Sequence, residues 1–505
     1  MAIAAVPTDR SPTTLAVLDK VRGDTIAELP VDDPEAVAAA CAQARSAQPA
    51  WAALSVRDRA RLLRRARREV VRDRGAILEL LDRETGKARF DTVGELMGTC
   101  LELGYLARRA ARFLAPRRVS TRPLFGKKGL VVYVPRGVVG VISPWNAPLN
   151  LALGDAIPAL LAGNAVVVKP SELTPLAVQR AAAAMNRVLP AGVLQVLIGA
   201  GPTGAALVDQ VDMICVTGSP ETGRRVMERA ARRLTPVLLE LGGKDPMIVL
   251  RDADLERAAN GAVYGACLMS GQVCMSVERV YVEEPVAEEF TRRVVEKMRA
   301  LRIGPNGPDQ DIDYGPFTSA RQVEIVERHV ADAVSRGATV LTGGKRREGG
   351  PGIYFEPTVL ENVDHSMQIM TEETFGPVLP IMRVASAEEA VRLANETTYG
   401  LNASVWTRDI TRGLDIAQRV TAGSTCVNEC LVSAGCSDLP FGGVKQSGLG
   451  QRHGGAEGLR QFCVAKAILT EPRRKRSEIS WFPYSTKRAK QIEWLMALLW
   501  GRGKG

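Results

Sequence analysis

VVGVISPWNAPLNLALGDAIPALLAGNAVVVKPSE, residues 138–172, contains one complete structural unit. The apolar run at 138–143 reads as a strand, and the stretch 148–162 reads as a helix. AVVVK (165–169) reads as a second strand. Pro148 falls where a first-turn proline is tolerated, and Pro175 and Pro220 occupy the same place in later units. Downstream the pattern repeats: a helix-like stretch at 174–188, VLQVLI (193–198), a short helix and then MICVTG (213–218). Strands alternating with helices predict a parallel, doubly wound sheet of the α/β class, with ligands gathered at the carboxyl ends of the strands.

Upstream, residues 33–115 have apolar positions at spacings of three and four and predict a run of helices. Downstream, a second α/β series runs from about 242 to 440. It includes RVYVEE (279–284), helix-like segments near 285–301 and 319–336, and strand-like SVWT (404–407), with Gly242 and Gly243 near the hinge. LVVYVPRG (130–137) and VAKAILT (464–470) are strands outside this alternation, and two such strands can pair to form an arm. The tail has PRRKR (472–476) and then IEWLMALLW before a GRGKG end. Its apolar residues with basic flanks suit a helix docked on this protein or a partner subunit, or alternatively contact with a membrane surface.

With 505 residues, 46% hydrophobic and 24% charged, the chain can form a large core in two or three domains. The nine cysteines form no CxxC pair or zinc spacing, so no metal is expected and a reducing, cytoplasmic compartment is favoured. Cys426, Cys430 and Cys436 lack histidine neighbours and read as wall or core residues. MAIAAVPTDRSPTT does not have the form of a secretory signal, and no run is apolar enough to span a bilayer. Much of the net charge of +10 lies on helix-like stretches such as Arg57 to Arg74, without ordered aromatic interleaving. It reads as a solvated face, and no nucleic-acid partner is expected.

GQVCMS (271–276) offers a cysteine beside glycine, which alone is a weak signal. It gains weight from SPWNAP (143–148), TGSPETG (217–223), LELGGKDP (239–246), EETFGPV (372–378) and PFGGVKQSGLG (440–450). In this order and spacing, over nearly the whole chain, the sequence resembles the aldehyde dehydrogenase superfamily.

That resemblance implies a Rossmann-like cofactor domain (1–116 and 136–241), an α/β catalytic domain (242–450) and a small β oligomerisation arm (117–135 and 451–472). Residues 473–505 follow as a tail, and the assembly expected is a homodimer or homotetramer. The implied reaction oxidises an aldehyde to a carboxylate with NAD(P)+. Cys274 is the expected nucleophile, since thiolate attacks far better than hydroxyl at neutral pH. Asn146 and the Cys274 backbone N–H are the expected oxyanion donors. Without the resemblance, Asn146 reads equally as a turn residue or a cap for the helix at Pro148.

Glu240 is the expected base for hydrolysis, and it counts against an acyl-transferring relative that uses coenzyme A. For the cofactor, Lys169 and Glu172 resemble the pair that grips the adenine ribose. Glu172 tilts the choice to NAD, with NADP possible. Gly218, Ser219 and Gly223 lie on a turn into a helix whose start can face pyrophosphate. Glu373 and Phe375 resemble the residues that hold the nicotinamide ribose and ring, and Trp145 and Leu241 are further expected cofactor-binding residues. Met269 and Ala147 stand where relatives often have asparagine and a large aromatic, which bears on specificity. The segment 426–438 has Glu429 and Asp438 but no lysine or arginine, which argues against a substrate carboxylate. CMSVERVYVEEPVAEEFTRR (274–293) and MALLWGR (496–502) point the other way, resembling the succinate-semialdehyde subgroup.

Overall fold

A computed structural model describes residues 13–122, 124, 126–348, 352–473, 475–478 and 480–501. Most of the N-terminal stretch read for a secretory signal, and residues 502–505 of the GRGKG end, lie outside the described residues. The predicted helical run is four helices, Pro34–Ala53, Val56–Arg72, Arg74–Thr85 and Arg89–Phe113, preceded by a hairpin of Thr14–Leu18 and Thr25–Pro30. Asp33 caps the first helix by accepting from the Ala36 N–H at 2.8 Å, and Ser55 caps the second.

The unit at 138–172 forms as expected: strand Val138–Ile142, helix Pro148–Ala162 and strand Ala165–Lys169. These strands are central in a six-stranded sheet. Its order is Gly448–Leu449, Val237–Glu240, Met213–Thr217, Val138–Ile142, Ala165–Lys169 and Leu194–Val196. All neighbours are parallel except Gly448–Leu449, which runs antiparallel along Val237–Glu240. Met213–Thr217 and Ala165–Lys169 are buried on both faces, which explains their uninterrupted apolar runs. From Val138–Ile142 the chain winds first to one side and later to the other. The crevice beyond the carboxyl ends of Val138–Ile142 and Met213–Thr217 is therefore a topological switch point.

The second series forms a seven-stranded sheet in the order Thr339–Thr342, Thr358–Glu361, Val378–Val384, Val277–Glu283, Asp245–Val249, Asn402–Trp406 and Ser424–Val427. Only the Thr339–Thr342 pairing is antiparallel. The two strands outside the alternation meet in a three-stranded sheet ordered Cys463–Thr470, Lys128–Pro135 and Arg117–Val119. The chain divides into two compact units, one of Met1–Leu114 with Val134–Val464, the other of Ala115–Tyr133 with Ala465–Gly505. Among the described residues no helix is long and apolar enough to cross a membrane.

The helix Pro148–Ala162 is placed by a buried charge. Its first N–H groups, on Leu149 and Asn150, donate to Glu95 Oε1 at 2.7 and 3.0 Å, and Glu95 is also paired with buried Lys87. Removing the carboxylate charge strands a cation in the interior and weakens the cap. Glu95→Gln is expected to lower stability by about 3 kcal/mol, read as a fall in the urea midpoint at unchanged slope. A midpoint within error of the parent's would show that Lys87 is compensated elsewhere.

Candidate active site

The loop Ser143 to Ala147 leaves the central strand at the switch point and turns into the helix at Pro148. Ala147, not Asn146, holds the capping position, and it makes no side-chain capping bond. The Asn146 side chain is buried and donates from Nδ2 to the Gln272 carbonyl at 2.9 Å. That bond ties the first sheet's loop to the segment carrying Cys274. The segment enters through Met269, Ser270 and Gly271, all at positive φ (52°, 62° and 73°). A Cβ on Gly271 would lie 2.2 Å from the Gly376 carbonyl carbon, so only glycine fits there.

Glu240 ends the strand Val237–Glu240 and is 1% exposed. Its Oε2 lies 3.5 Å from Arg452 Nη1. The same guanidinium grips Asp155 through Nε at 2.8 Å and Nη2 at 2.5 Å, and donates to Thr217 Oγ1 at 2.6 Å. Burial acts against the Arg452 charge, but Asp155 and Glu240 more than offset it and keep it protonated. Burial raises the Glu240 pKa, and Arg452 opposes that rise. For the Cys274 thiol, burial pushes the pKa well above its ordinary value, with the Glu240 charge adding to it. Left to itself, the sulfur is therefore a thiol at neutral pH.

Two cavities meet at these residues. One, of about 240 Å³, is lined by Trp145, Thr217, Gly218, Ser219, Leu241, Glu373 and Phe375 among others. The other, of about 170 Å³, is lined by Ala147, Leu151, Met269, Val273, Met275, Ala434 and Phe441 among others, with Glu102, Asp155, Glu240, Arg452 and His453 as its acidic and basic members. Asn146, Glu240 and Cys274 line both.

In the first cavity Trp145 and Phe375 make an edge-to-face contact with centroids 5.5 Å apart. Glu373 accepts from the Gly243 N–H at 2.9 Å, and burial, with Glu278 adding, pushes its pKa up to about 8. A Cβ on Gly242 would come within 2.4 Å of Glu373 Oε2, so the glycine pair permits this close approach. The loop 373–375 is held by Glu278, which accepts from the Thr374 and Phe375 N–H groups, each at 2.8 Å, and pairs with Lys244 at 2.5 Å.

Lys169, Glu172 and Gly223 do not line either cavity. Lys169 Nζ donates to the Gly199 carbonyl at 2.8 Å and lies 3.8 Å from Glu172, beyond the neighbouring strand of the same crevice. Gly223 is packed under Leu241, where a Cβ would meet Cδ1 at 2.8 Å. Ser219 caps the helix Pro220–Ala231 through the Thr222 N–H. From the segment 426–438 the second cavity takes Ala434. Glu429 pairs with Arg257, and Asp438 accepts from Tyr105.

Sequence reasoning missed Arg452, Asp155, Glu278 and Lys244. Asp155 sits inside an apolar helix pattern and Arg452 just beyond PFGGVKQSGLG. For Asp155, a lone charge in an apolar run was the signal available.

A helix start at the switch point, glycines that admit a ligand beside a buried carboxylate, and an aromatic pair at the other wall fit a nicotinamide dinucleotide. Fold and site together define an oxidoreductase dependent on such a cofactor. The chain matches the model of the "Aldehyde dehydrogenase family" over residues 7–468, and it belongs to that family. It is 40% identical over 496 residues to a Methylomonas protein named 4,4'-diapolycopene aldehyde oxidase, covering 97% of this chain and 92% of the relative. A Mycobacterium ulcerans relative, provisionally named succinate-semialdehyde dehydrogenase (NADP+) 2, is 41% identical, with 93% and 91% covered. A Staphylococcus aureus betaine aldehyde dehydrogenase crystallised with NAD+ superposes with a TM-score of 0.88 at 32% identity, covering 94% of each chain. This protein is thus an NAD(P)-dependent enzyme that oxidises an aldehyde to a carboxylate.

The thiol's raised pKa has a direct consequence for alkylation by iodoacetamide. Glu240→Gln removes a charge that raises the thiol pKa, so the pH midpoint for alkylation of the Cys274 peptide, followed by mass spectrometry, is expected to move down. A midpoint that stays put or moves up would sink the electrostatic coupling.

Proposed function

We propose that Cys274 attacks the aldehyde carbon, that Glu240 serves as base, and that the substrate is an uncharged, largely apolar aldehyde. The observation supporting the chemistry is that, among the described residues, Cys274, Glu240 and Asn146 alone line both cavities. In this reading the thiol proton passes to solvent as sulfur bonds to carbon, and the carbonyl electron pair moves to oxygen. The Asn146 amide has two N–H groups. One is anchored on the Gln272 carbonyl, which fixes the amide's rotation and leaves the other for the oxyanion, beside the Cys274 N–H.

When bound, NAD(P) supplies the two-electron acceptor. Lys169 and Glu172 would hold its adenine ribose, and the Gly218 and Ser219 turn its pyrophosphate. Trp145, Leu241, Glu373 and Phe375 would hold its nicotinamide end, and Glu172 favours NAD. The resulting acyl thioester is hydrolysed as Glu240 accepts a proton from water. The water oxygen bonds to the acyl carbon and the carbon–sulfur bond breaks.

The substrate class rests on charge. The second cavity does contain two basic side chains that the segment 426–438 lacks, but each is already engaged: Arg452 by Asp155 and Glu240, His453 by Glu102 at 3.3 Å. A substrate carboxylate would have to displace one of these partners, of which Asp155 and Glu240 are buried. Beside Asn146 and Asn150 the wall carries Leu151, Met269, Val273, Met275 and Phe441, which favours burial of an apolar chain. A second reading, succinate semialdehyde, draws on the name of the Mycobacterium relative and requires that displacement. A homo-oligomer is supported by the edge strand Cys463–Thr470, exposed from Val464 onward. A reducing, cytoplasmic setting is supported by nine free cysteines.

A panel of aldehydes with each dinucleotide tests this. Hexanal with NAD is expected to give kcat/KM at least about tenfold above succinate semialdehyde, and the reverse ranking would overturn the substrate class. Cys274→Ala is expected to be inactive. Glu240→Gln should give one burst of reduced cofactor and then turn over on the order of 100-fold more slowly.

The Arg452 charge favours ionised Glu240, so hydrolysis is expected to fail as pH drops through the raised Glu240 pKa. Arg452→Met should move that acid limb of kcat to higher pH and cut kcat at pH 7 on the order of tenfold, leaving the burst intact. Arg452→Lys should restore it. An acid limb that does not move would reduce Arg452 to a structural role.

A further inference from the structure

The helix Thr486–Trp500 has no buried residue. Ile492, Trp494, Leu495, Met496, Leu498, Leu499 and Trp500 are all exposed, Trp500 by 75%, and Trp481, Phe482 and Tyr484 just before the helix are exposed as well. At 3.6 residues per turn these helical side chains cover about two-thirds of the circumference. A groove on a folded protein accepts one face of a helix, so an arc this wide fits a medium that can surround it.

Charge identifies that medium. The stretch 471–505 has nine lysines and arginines against three glutamates, which accounts for six of the chain's ten net positive charges. Two of those glutamates, Glu471 and Glu478, are already paired with Lys127 and Lys475. Lys487, Arg488 and Lys490 sit in the first turns of the helix, and Arg502 and Lys504 follow its end in sequence. A second copy of this tail would carry the same positive charge and be repelled. Three of the six tryptophans in the chain, at 481, 494 and 500, fall within this short segment, and tryptophan favours the boundary between headgroups and acyl chains. Fifteen residues span about 22 Å, short of a bilayer's hydrocarbon thickness, so the helix lies along the surface.

We propose that residues 481–500 dock the enzyme on a bilayer surface rich in anionic headgroups, the apolar arc sinking into the boundary and the basic side chains pairing with headgroup phosphates. The site's chemistry does not enter this argument.

The test is flotation of the full-length protein with vesicles of phosphatidylcholine alone or mixed with phosphatidylglycerol, at low and high salt. Binding to the phosphatidylglycerol vesicles is expected to exceed binding to phosphatidylcholine by about tenfold or more at low salt and to fall as salt rises. The double variant Leu495→Glu/Leu499→Glu should lose that binding while keeping its oligomeric mass by light scattering and its turnover of a water-soluble aldehyde. Absence of binding to either vesicle, equal binding to both, or undiminished binding by the variant overturns the proposal. A variant whose oligomeric mass falls does so too, because the helix would then be covered by another copy of the chain.

Discussion

One guanidinium, that of Arg452, makes the interior of this enzyme electrostatically tolerable. Asp155, Thr217 and Glu240 come from a helix and two strands of the first sheet, and all three converge on it. A carboxylate as enclosed as Glu240 takes up a proton unless a cation stands beside it. Arg452 does not neutralise Glu240 outright, because its tighter bonds go to Asp155. The net result is a carboxylate whose pKa burial raises and Arg452 holds back, a suitable condition for a group proposed to take a proton from water.

The second sheet makes a matching arrangement. Lys244 and Glu278 form a buried pair that holds the loop carrying Glu373 and Phe375, and Glu373 reaches back to the Gly243 N–H. Glu240 and Thr217 end strands of the first sheet and Lys244 precedes one of the second, places where backbone leaves its ladder and side chains must satisfy what remains. Charged side chains gather at those strand ends, while the second cavity adds Leu151, Met269, Val273, Met275 and Phe441 to its wall. This division suits a reaction in which charge develops at one carbon and the remainder of the substrate needs only to be enclosed.

Substrate choice shows how far local reading reaches. The segment 426–438 has no cation, and an argument confined to it speaks against a substrate carboxylate. Folding brings Arg452 and His453 to the same cavity, which on their own would reverse the conclusion. Their partners, Asp155 and Glu102, restore it, and those partners come from elements hundreds of residues away in sequence.

The sequence by itself determined the α/β class, the strands and helices of the first sheet to within a few residues, the arm strands and the motif residues now found around two cavities. Apolar runs bounded by glycine and proline are local signals, and burial on both faces of a parallel sheet writes them directly into the chain. Only the tertiary structure decided that Gly448–Leu449 would edge the first sheet antiparallel, that Gly223 would pack under Leu241 away from the cavities, and that Arg452 would meet Glu240. Those are pairings between distant segments, fixed by which surfaces and charges satisfy one another once the backbone has closed, and no periodicity in the sequence encodes them.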